Sequence, residues 1–165
     1  MVEADPSLAD EIQRLRPRDK VVHAAVAEKT GLEMPFYRMN VPSGNTLVPD
    51  AIEGCNRSKL LHVRDCLLLT TISLNDILAS YFTDCPDLLS LDIEGVDLAA
   101  LTSIDYERFP IPVICVETCK FSESHVKPKD TSIEDFLLRK NYFVYADTYI
   151  NTIFVNSSWF YSEAK

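Results

Sequence analysis

Acidic side chains follow several apolar segments of this sequence and are its clearest candidates for chemistry. The apolar segments are typical of strands buried on both faces. In open parallel sheets, ligands bind outside the carboxyl ends of the strands, so these acids are predicted to line one ligand-binding edge. They are Glu3, Glu28, Asp92, Glu94 and Glu117.

Asp92 and Glu94 form the densest part of this acidic edge. They are separated by one residue, so on an extended backbone their carboxylates point to the same side. Such a pair suits a divalent cation, with Glu117 as a third ligand, or a base that accepts a proton from a substrate hydroxyl. Alternatively, the two acids accept hydrogen bonds from the amides of a helix that begins near Val96. Gly95 is expected to allow a tight turn between strand and helix.

Glu3 has a more specific interpretation. A carboxylate at the end of a parallel strand can accept hydrogen bonds from the two vicinal hydroxyls of a ribose. The alternative is an acid that caps, or interacts with the dipole of, the helix predicted over 6–16. Residue types and spacing alone leave both interpretations open.

Hydrophobic periodicity predicts the elements that must position these acids. Predicted strands span 1–3, 20–27, 32–39, 60–71, 87–93, 113–117, 142–149 and 152–155. Four helices are predicted, and the first spans 6–16 after Asp5-Pro6. The second begins at a capping box at 73–76 and is expected to bury Ile77, Leu78, Tyr81 and Phe82. The third carries Leu98, Leu101 and Ile104, and the fourth begins at a capping box at 132–135. The strand at 32–39 is expected beside the strand at 20–27. An irregular loop is predicted over 40–59, and the last two strands should form an antiparallel hairpin.

Length, net charge and composition limit the classes of protein to which this chain can belong. The chain has 165 residues, enough for one domain, and a formal net charge of −9 without a basic patch, which argues against nucleic-acid binding. It has no apolar run near the roughly 20 residues of a membrane span and no secretion signal, so a cytoplasmic location is expected. Five cysteines without C-x-x-C spacing are predicted to be reduced core residues. Only four glycines occur, and they are well separated, so no phosphate-binding glycine loop is present in the sequence.

The three histidines carry weaker signals. His23 lies within an apolar segment and is predicted to be a satisfied core residue, whereas His62 is expected on a strand surface. His125 follows Glu117 in a polar segment from which it could reach a substrate. No arrangement of Ser, Cys and His indicates a catalytic nucleophile.

Five blocks of the sequence resemble the FkbM-type methyltransferase family in order and spacing. They are VEADPSLADEIQRLRP, HAAVAEKTG, SLNDIL, DLLSLDIEGVDLAALTSIDYERFPIPVICVE and SIEDFLLRKNYFVYADTYINTIFVN. The resemblance implies an α/β fold of the Rossmann-like class I methyltransferase type, with a mostly parallel sheet and a C-terminal antiparallel hairpin. It also implies S-adenosylmethionine as the cofactor and O-methylation of a hydroxyl on a small-molecule or carbohydrate acceptor.

Several residues match family positions. By this resemblance, Glu3 is the acid that holds the donor ribose, and Asp92 and Glu94 are the acids that face the donor methyl and the acceptor. The strand end that packs near the adenine matches Ala24, Ala25 and Val26. In the family, a first strand, a glycine-rich turn and a helix precede the VEADP block. We therefore expect residues 1–165 to be a single, N-terminally truncated domain that lacks this first strand–helix unit.

Two functions remain open at this point. The first is an S-adenosylmethionine-dependent O-methyltransferase or an inactive fragment of one. The second is a non-catalytic, degenerate methyltransferase-like module that binds a partner or forms homo-oligomers through an exposed sheet edge. A nucleotide-sugar-binding domain that uses the same acidic edge would be a third, but no phosphate-binding feature of the sequence supports it.

Overall fold

Residues 1–49, 52, 62–93, 95–119 and 129–163 are described by a computed structural model of the protein. The chain divides into two compact units. The first comprises Met1–Asp76 and Ile93–Ser103, and the second comprises Ile77–Asp92 and Ile104–Lys165.

The described residues of the first unit form five strands. They are β1 (Val2–Glu3), β2 (Val22–His23), β3 (Ala25–Val26), β4 (Glu33–Met39) and β5 (Val63–Ile72). Its helices include α1 (Pro6–Leu15) and α3 (Asp97–Thr102), and the boundary with the second unit falls within α2 (Leu74–Tyr81). Helix α1 begins as predicted, because the Asp5 carboxylate caps the amide of Ser7 at 2.9 Å and Pro6 occupies the first helical turn.

The prediction of one continuous strand over 20–27 is wrong. The segment forms two short parallel pairings with different neighbours, β2 with β1 and β3 with β5. The change of partner occurs at Ala24, whose amide donates to the Glu3 carbonyl at 3.0 Å. Strand β4 does not lie beside this segment as expected, because β5 is inserted between β3 and β4 and pairs antiparallel with β4.

A small apolar core lies against this three-stranded sheet. Ala25, Phe36 and Leu47 are buried at its centre. The partly buried residues packed around them are Ala4, Met34, Leu67, Leu69 and Val96. This core therefore brings together β3, β4, β5, the residue that follows β1 and the segment that leads into α3.

The segment predicted as an irregular loop over 40–59 is structured where it is described. A 3₁₀ turn covers Pro42–Gly44, and Thr46 forms a β-bridge with Tyr37 of β4. Asn45 supports the turn because its Oδ1 atom accepts the amide of Met39 at 2.8 Å. Residues 50, 51 and 53–59 of this predicted loop lie outside the described part of the chain.

Helix α2 begins at the predicted capping box. The Ser73 hydroxyl accepts the amide of Asp76 at 3.1 Å. The predicted apolar stripe is only half correct, because Ile77 and Leu78 are buried but Tyr81 and Phe82 are 39% and 45% exposed. Leu74, at the first turn, completes the buried face instead.

The second unit is built on one four-stranded sheet. Its strands are β6 (Leu88–Leu91), β7 (Val113–Glu117), β8 (Tyr142–Asp147) and β9 (Asn151–Asn156), in the order β6-β7-β9-β8. Strands β6 and β7 are parallel, as predicted from the strand–helix–strand pattern. The C-terminal antiparallel hairpin is also confirmed, and β9 is the strand that joins it to β7. The fully buried residues of this sheet include Ile114, Val116 and Phe154.

Two helices of the second unit differ from expectation. Helix α4 (Thr131–Arg139) is capped by Asp130 and not by Ser132, because the Asp130 carboxylate accepts the Ser132 amide at 2.9 Å. The helix α5 (Ser157–Glu163) that follows β9 was not predicted. Its aromatic residues include Phe160, whose ring packs on Phe143 of β8 with the centroids 5.3 Å apart.

Predictions for cysteine and histidine need correction. The four described cysteines are free thiols, but Cys66 is exposed and the other three are half-buried, so none is a core residue. His23 is exposed as well, with its Nε2 atom 3.0 Å from the Ala4 carbonyl oxygen. His62 is exposed immediately before β5, and Cys55 and His125 lie outside the described residues.

The described strands and helices form a mixed α/β structure with three sheets, consistent with the α/β fold that the family resemblance implies. Three strand pairings are parallel and three are antiparallel, so the expected predominance of parallel pairing is not seen in these ranges. No helix within the described ranges is long and apolar enough to cross a membrane.

Candidate functional site

Glu3 lies at the carboxyl end of β1, as the sequence predicts. Its Oε1 atom accepts a hydrogen bond from the backbone amide of Asp5 at 2.8 Å. Among the described residues, its Oε2 atom has no hydrogen-bond partner. The side chain is half-buried, so one carboxylate oxygen is fixed by the backbone while the other can accept hydrogen bonds from a ligand.

Asp5 itself is a buried carboxylate, only 4% exposed. In addition to capping α1, it lies 3.6 Å from Nη1 of Arg38 and accepts a hydrogen bond from Nδ2 of Asn45 at 3.3 Å. Arg38 is in turn held by Asp65 on the neighbouring strand through two hydrogen bonds of 2.6 and 2.7 Å. Those hydrogen bonds hold the pKa of Asp65 below its usual value and raise that of Arg38.

The strand end predicted to pack near an adenine is apolar and tightly packed. Ala25 is fully buried, Val26 is 7% exposed and Ala24 is half-buried. Ala25 and Val26 pair with Thr71 and Ile72 at the end of β5. Ala25 also packs with Phe36 and Leu47 in the apolar core of the first unit, so contacts within the protein bury its side chain.

The DIEG turn contains the two acids that the sequence singles out most strongly. Asp92 follows the parallel strand β6, is exposed, and has no hydrogen bond or ion pair with another described residue. Glu94 lies outside the described residues. Gly95 adopts a positive φ of 96°, a backbone conformation that favours glycine, as expected for a tight turn between strand and helix.

Asp97 is a polar residue that sequence reasoning missed. It is 6% exposed, and its two carboxylate oxygens accept the amides of Ile93 at 3.1 Å and Gly95 at 3.2 Å. It therefore holds the backbone on both sides of position 94. The sequence carries a signal for this role, because Val96 at the N-cap cannot accept the free amides and an acid in the first helical turn can.

Glu117 ends β7, opposite Asn151 of β9, and is half-buried. The residue after it, Thr118, is buried and shares a 2.7 Å hydrogen bond with Thr152. Lys129 donates to the Thr118 hydroxyl at 3.0 Å. The carboxyl end of β7 is thus occupied by a polar network.

A metal centre is not evident in the described residues, which contain no group of three or more His, Cys, Asp or Glu side chains arranged to hold an ion. Glu94, one of the three predicted ligands, is outside those residues. Glu28, the remaining predicted acid, is exposed immediately after β3 and Ala27.

Comparisons with known proteins identify the family. The family model described as the methyltransferase FkbM domain matches residues 1–144, which includes the VEADP corner, the DIEG turn and strands β1 to β7. Comparisons with curated proteins and with solved structures gave no match. The match covers most of the 165 residues, and the chain therefore belongs to the FkbM methyltransferase domain family.

Proposed function

We propose that this chain is an S-adenosylmethionine-dependent methyltransferase that acts on a hydroxyl of a small molecule or sugar. The observation that carries the proposal is the Glu3 carboxylate, which ends a parallel strand with one oxygen fixed at 2.8 Å by the Asp5 amide and the other without a hydrogen-bond partner among the described residues. A ribose diol offers two hydroxyl donors to such an acceptor. Family membership supports methyl transfer as the reaction.

The donor-binding residues proposed for this chain are Glu3 and the apolar strand end Ala24, Ala25 and Val26. Glu3 would bind the ribose, and the apolar strand end would lie near the adenine. When bound, S-adenosylmethionine supplies an activated methyl group.

Asp92 is the proposed general base. It follows a parallel strand, is exposed, and has no described partner that would compete for its carboxylate. An acceptor hydroxyl becomes a better nucleophile as it gives its proton to a nearby carboxylate. Glu94 is a second candidate for this role, by family resemblance alone.

Methyl transfer can be tested by supplying labelled S-adenosylmethionine and a panel of sugars and small hydroxylated compounds, and measuring the S-adenosylhomocysteine formed. Asp92→Asn should reduce turnover by about a hundredfold or more, the usual contribution of a positioned general base. Asp87→Asn is the matched control, because Asp87 is an exposed acid at the opposite end of the same strand β6. Equal turnover in the wild type and Asp92→Asn would remove the proposed role of Asp92.

A second candidate function is a non-catalytic module that forms homo-oligomers through a sheet edge. It is favoured by β8, which is an edge strand in the described sheet and has Val144 38% and Tyr145 61% exposed. A dimer in light scattering, together with no binding of S-adenosylhomocysteine, would support this candidate over the enzyme. A monomer that binds S-adenosylhomocysteine would exclude it.

A further inference from the structure

Hydrogen bonds and an ion pair connect Glu3 to Asp5, Asp5 to Arg38, and Arg38 to Asp65. We propose that Arg38, held by Asp65, is a positioning residue that keeps Glu3 in its donor-binding orientation by fixing Asp5. This inference rests on the proposed function, since it assumes that Glu3 binds the donor ribose. It connects residues from separate segments of the sequence, and all of them lie in the first unit.

The first step is the pair between Arg38 and Asp65. Nε and Nη2 of Arg38 donate to the two carboxylate oxygens of Asp65 at 2.6 and 2.7 Å, a bidentate geometry that fixes the plane of the guanidinium. The residues face each other on β4 and β5, which pair antiparallel at this position. The orientation of Arg38 is therefore set by the sheet itself.

The second step is the contact between Arg38 and Asp5. The remaining nitrogen of the guanidinium, Nη1, lies 3.6 Å from Oδ1 of Asp5. The side chains of Arg38 and Asp5 are 15% and 6% exposed, so this charge pair is poorly screened by water. Asn45 adds a hydrogen bond of 3.3 Å to the other Asp5 oxygen. Burial of a carboxylate without such partners would cost free energy.

The third step connects Asp5 to Glu3. The backbone amide of Asp5 donates to Oε1 of Glu3 at 2.8 Å, so the position of this amide sets the direction of the Glu3 carboxylate. Loss of Arg38 would leave Asp5 buried with its charge uncompensated, and the corner between β1 and α1 would have to shift to expose it to water. Glu3 would then lose its fixed oxygen and its orientation.

The experiment compares the binding of two ligands, S-adenosylhomocysteine and its 2′,3′-dideoxy analogue, which lacks the ribose hydroxyls. The wild type should prefer S-adenosylhomocysteine about tenfold or more, as expected for hydrogen bonds to a carboxylate. In Arg38→Gln the preference should fall to about twofold or less. Arg64→Gln is the matched control, because Arg64 is an exposed arginine on β5 that contacts Asp65 at 3.5 Å and has no described ion pair with Asp5.

Combining Arg38→Gln with Glu3→Gln distinguishes an effect of Arg38 that acts through Glu3 from a general loss of stability. If Arg38 acts through Glu3, then Arg38→Gln should change the affinity for S-adenosylhomocysteine less than twofold in the Glu3→Gln background. Should Arg38→Gln fail to fold in circular dichroism, Asp65→Asn, which removes the charge that holds the Arg38 guanidinium in place, should lower the same ligand ratio to about twofold or less. A folded variant that retains the wild-type preference overturns the inference, whereas a wild type that binds neither ligand overturns the proposed function and this inference with it.

Discussion

The Oδ2 atom of Asp97 accepts a hydrogen bond from the backbone amide of Gly95 at 3.2 Å, across the turn that leads into α3. Its Oδ1 atom accepts the amide of Ile93 at 3.1 Å. Because Asp97 is 6% exposed, water cannot easily replace either hydrogen bond. The backbone next to Asp92 is thus fixed by a side chain that has no proposed contact with the acceptor.

Asp97→Ala should lower the free energy of unfolding by roughly 1–3 kcal/mol, because two partly buried hydrogen bonds to a carboxylate are lost. Urea denaturation of the purified chain measures this change. Asp10→Ala is the matched control, since Asp10 is exposed on α1. Equal stability of the two variants would show that Asp97 does not hold the turn.

Gly95→Ala should also destabilise the chain, by about 1–2 kcal/mol, because a φ of 96° is unfavourable for a residue with a Cβ atom. Steric contact adds little, since a Cβ at this position would lie 3.5 Å from Cγ2 of Val48, an ordinary contact distance. Gly44→Ala is the control, because Gly44 has no positive φ. A Gly95→Ala variant as stable as Gly44→Ala in urea would contradict the strained turn.

Low pH should lower the stability of the second unit, because the Asp147 carboxylate gains a proton. The hydrogen bond from Lys129 at 2.9 Å, followed by one from the Tyr149 amide, lowers the pKa of Asp147 in the folded chain. The stabilisation is therefore complete above the unfolded pKa of about 4 and is lost as the pH falls through the lower, folded value. Asp147→Asn should show a smaller decrease in unfolding free energy than the wild type between about pH 5 and pH 2.

Lys129→Gln provides an independent check of this acid dependence, because it removes the donor and keeps the carboxylate. It should flatten the stability profile in the same pH range. Parallel profiles for the wild type and both variants would contradict a contribution from this pair.

High pH should lower the stability of the second unit, because the buried Tyr142 hydroxyl loses its proton. Burial raises the pKa of Tyr142 to about 12, and its hydroxyl donates to the Ile111 carbonyl at 2.7 Å. A raised folded pKa means that stability is complete below the unfolded value of about 10 and is lost as the pH rises through the folded value. Tyr142→Phe should cost roughly 1 kcal/mol at neutral pH and show a shallower loss between these values. An unchanged slope in Tyr142→Phe would refute the assignment.

Local signals in the sequence predict helix starts well. Asp5 and Ser73 cap α1 and α2 as expected, because a cap and the amides it satisfies lie within a few residues of each other. Strand pairing depends on distant segments, and this explains why 20–27 is split at Ala24 and why β5 separates β3 from β4. The parallel pairing of β6 with β7 was predictable, since one strand–helix–strand unit determines it.

The residues of the candidate site also divide into those that local sequence signals predict and those that depend on the pairing of distant segments. Glu3 and Asp92 are predictable as strand-end acids because each directly follows an apolar run, although their roles remain predictions. The pair between Arg38 and Asp65 is not predictable, because 27 positions separate the two residues and only the sheet register brings them together. Asp97 falls between these cases, since its position in the first helical turn is a local signal.

The affinity of the chain for S-adenosylhomocysteine, measured by isothermal titration calorimetry, tests donor binding at Glu3 most directly. We expect the wild type to bind at one site and Glu3→Gln to bind about tenfold or more weakly. Glu33→Gln, which alters an exposed acid at the start of β4, should bind like the wild type. Absence of binding to the wild type at millimolar ligand, or equal affinity in Glu3→Gln, would contradict the account.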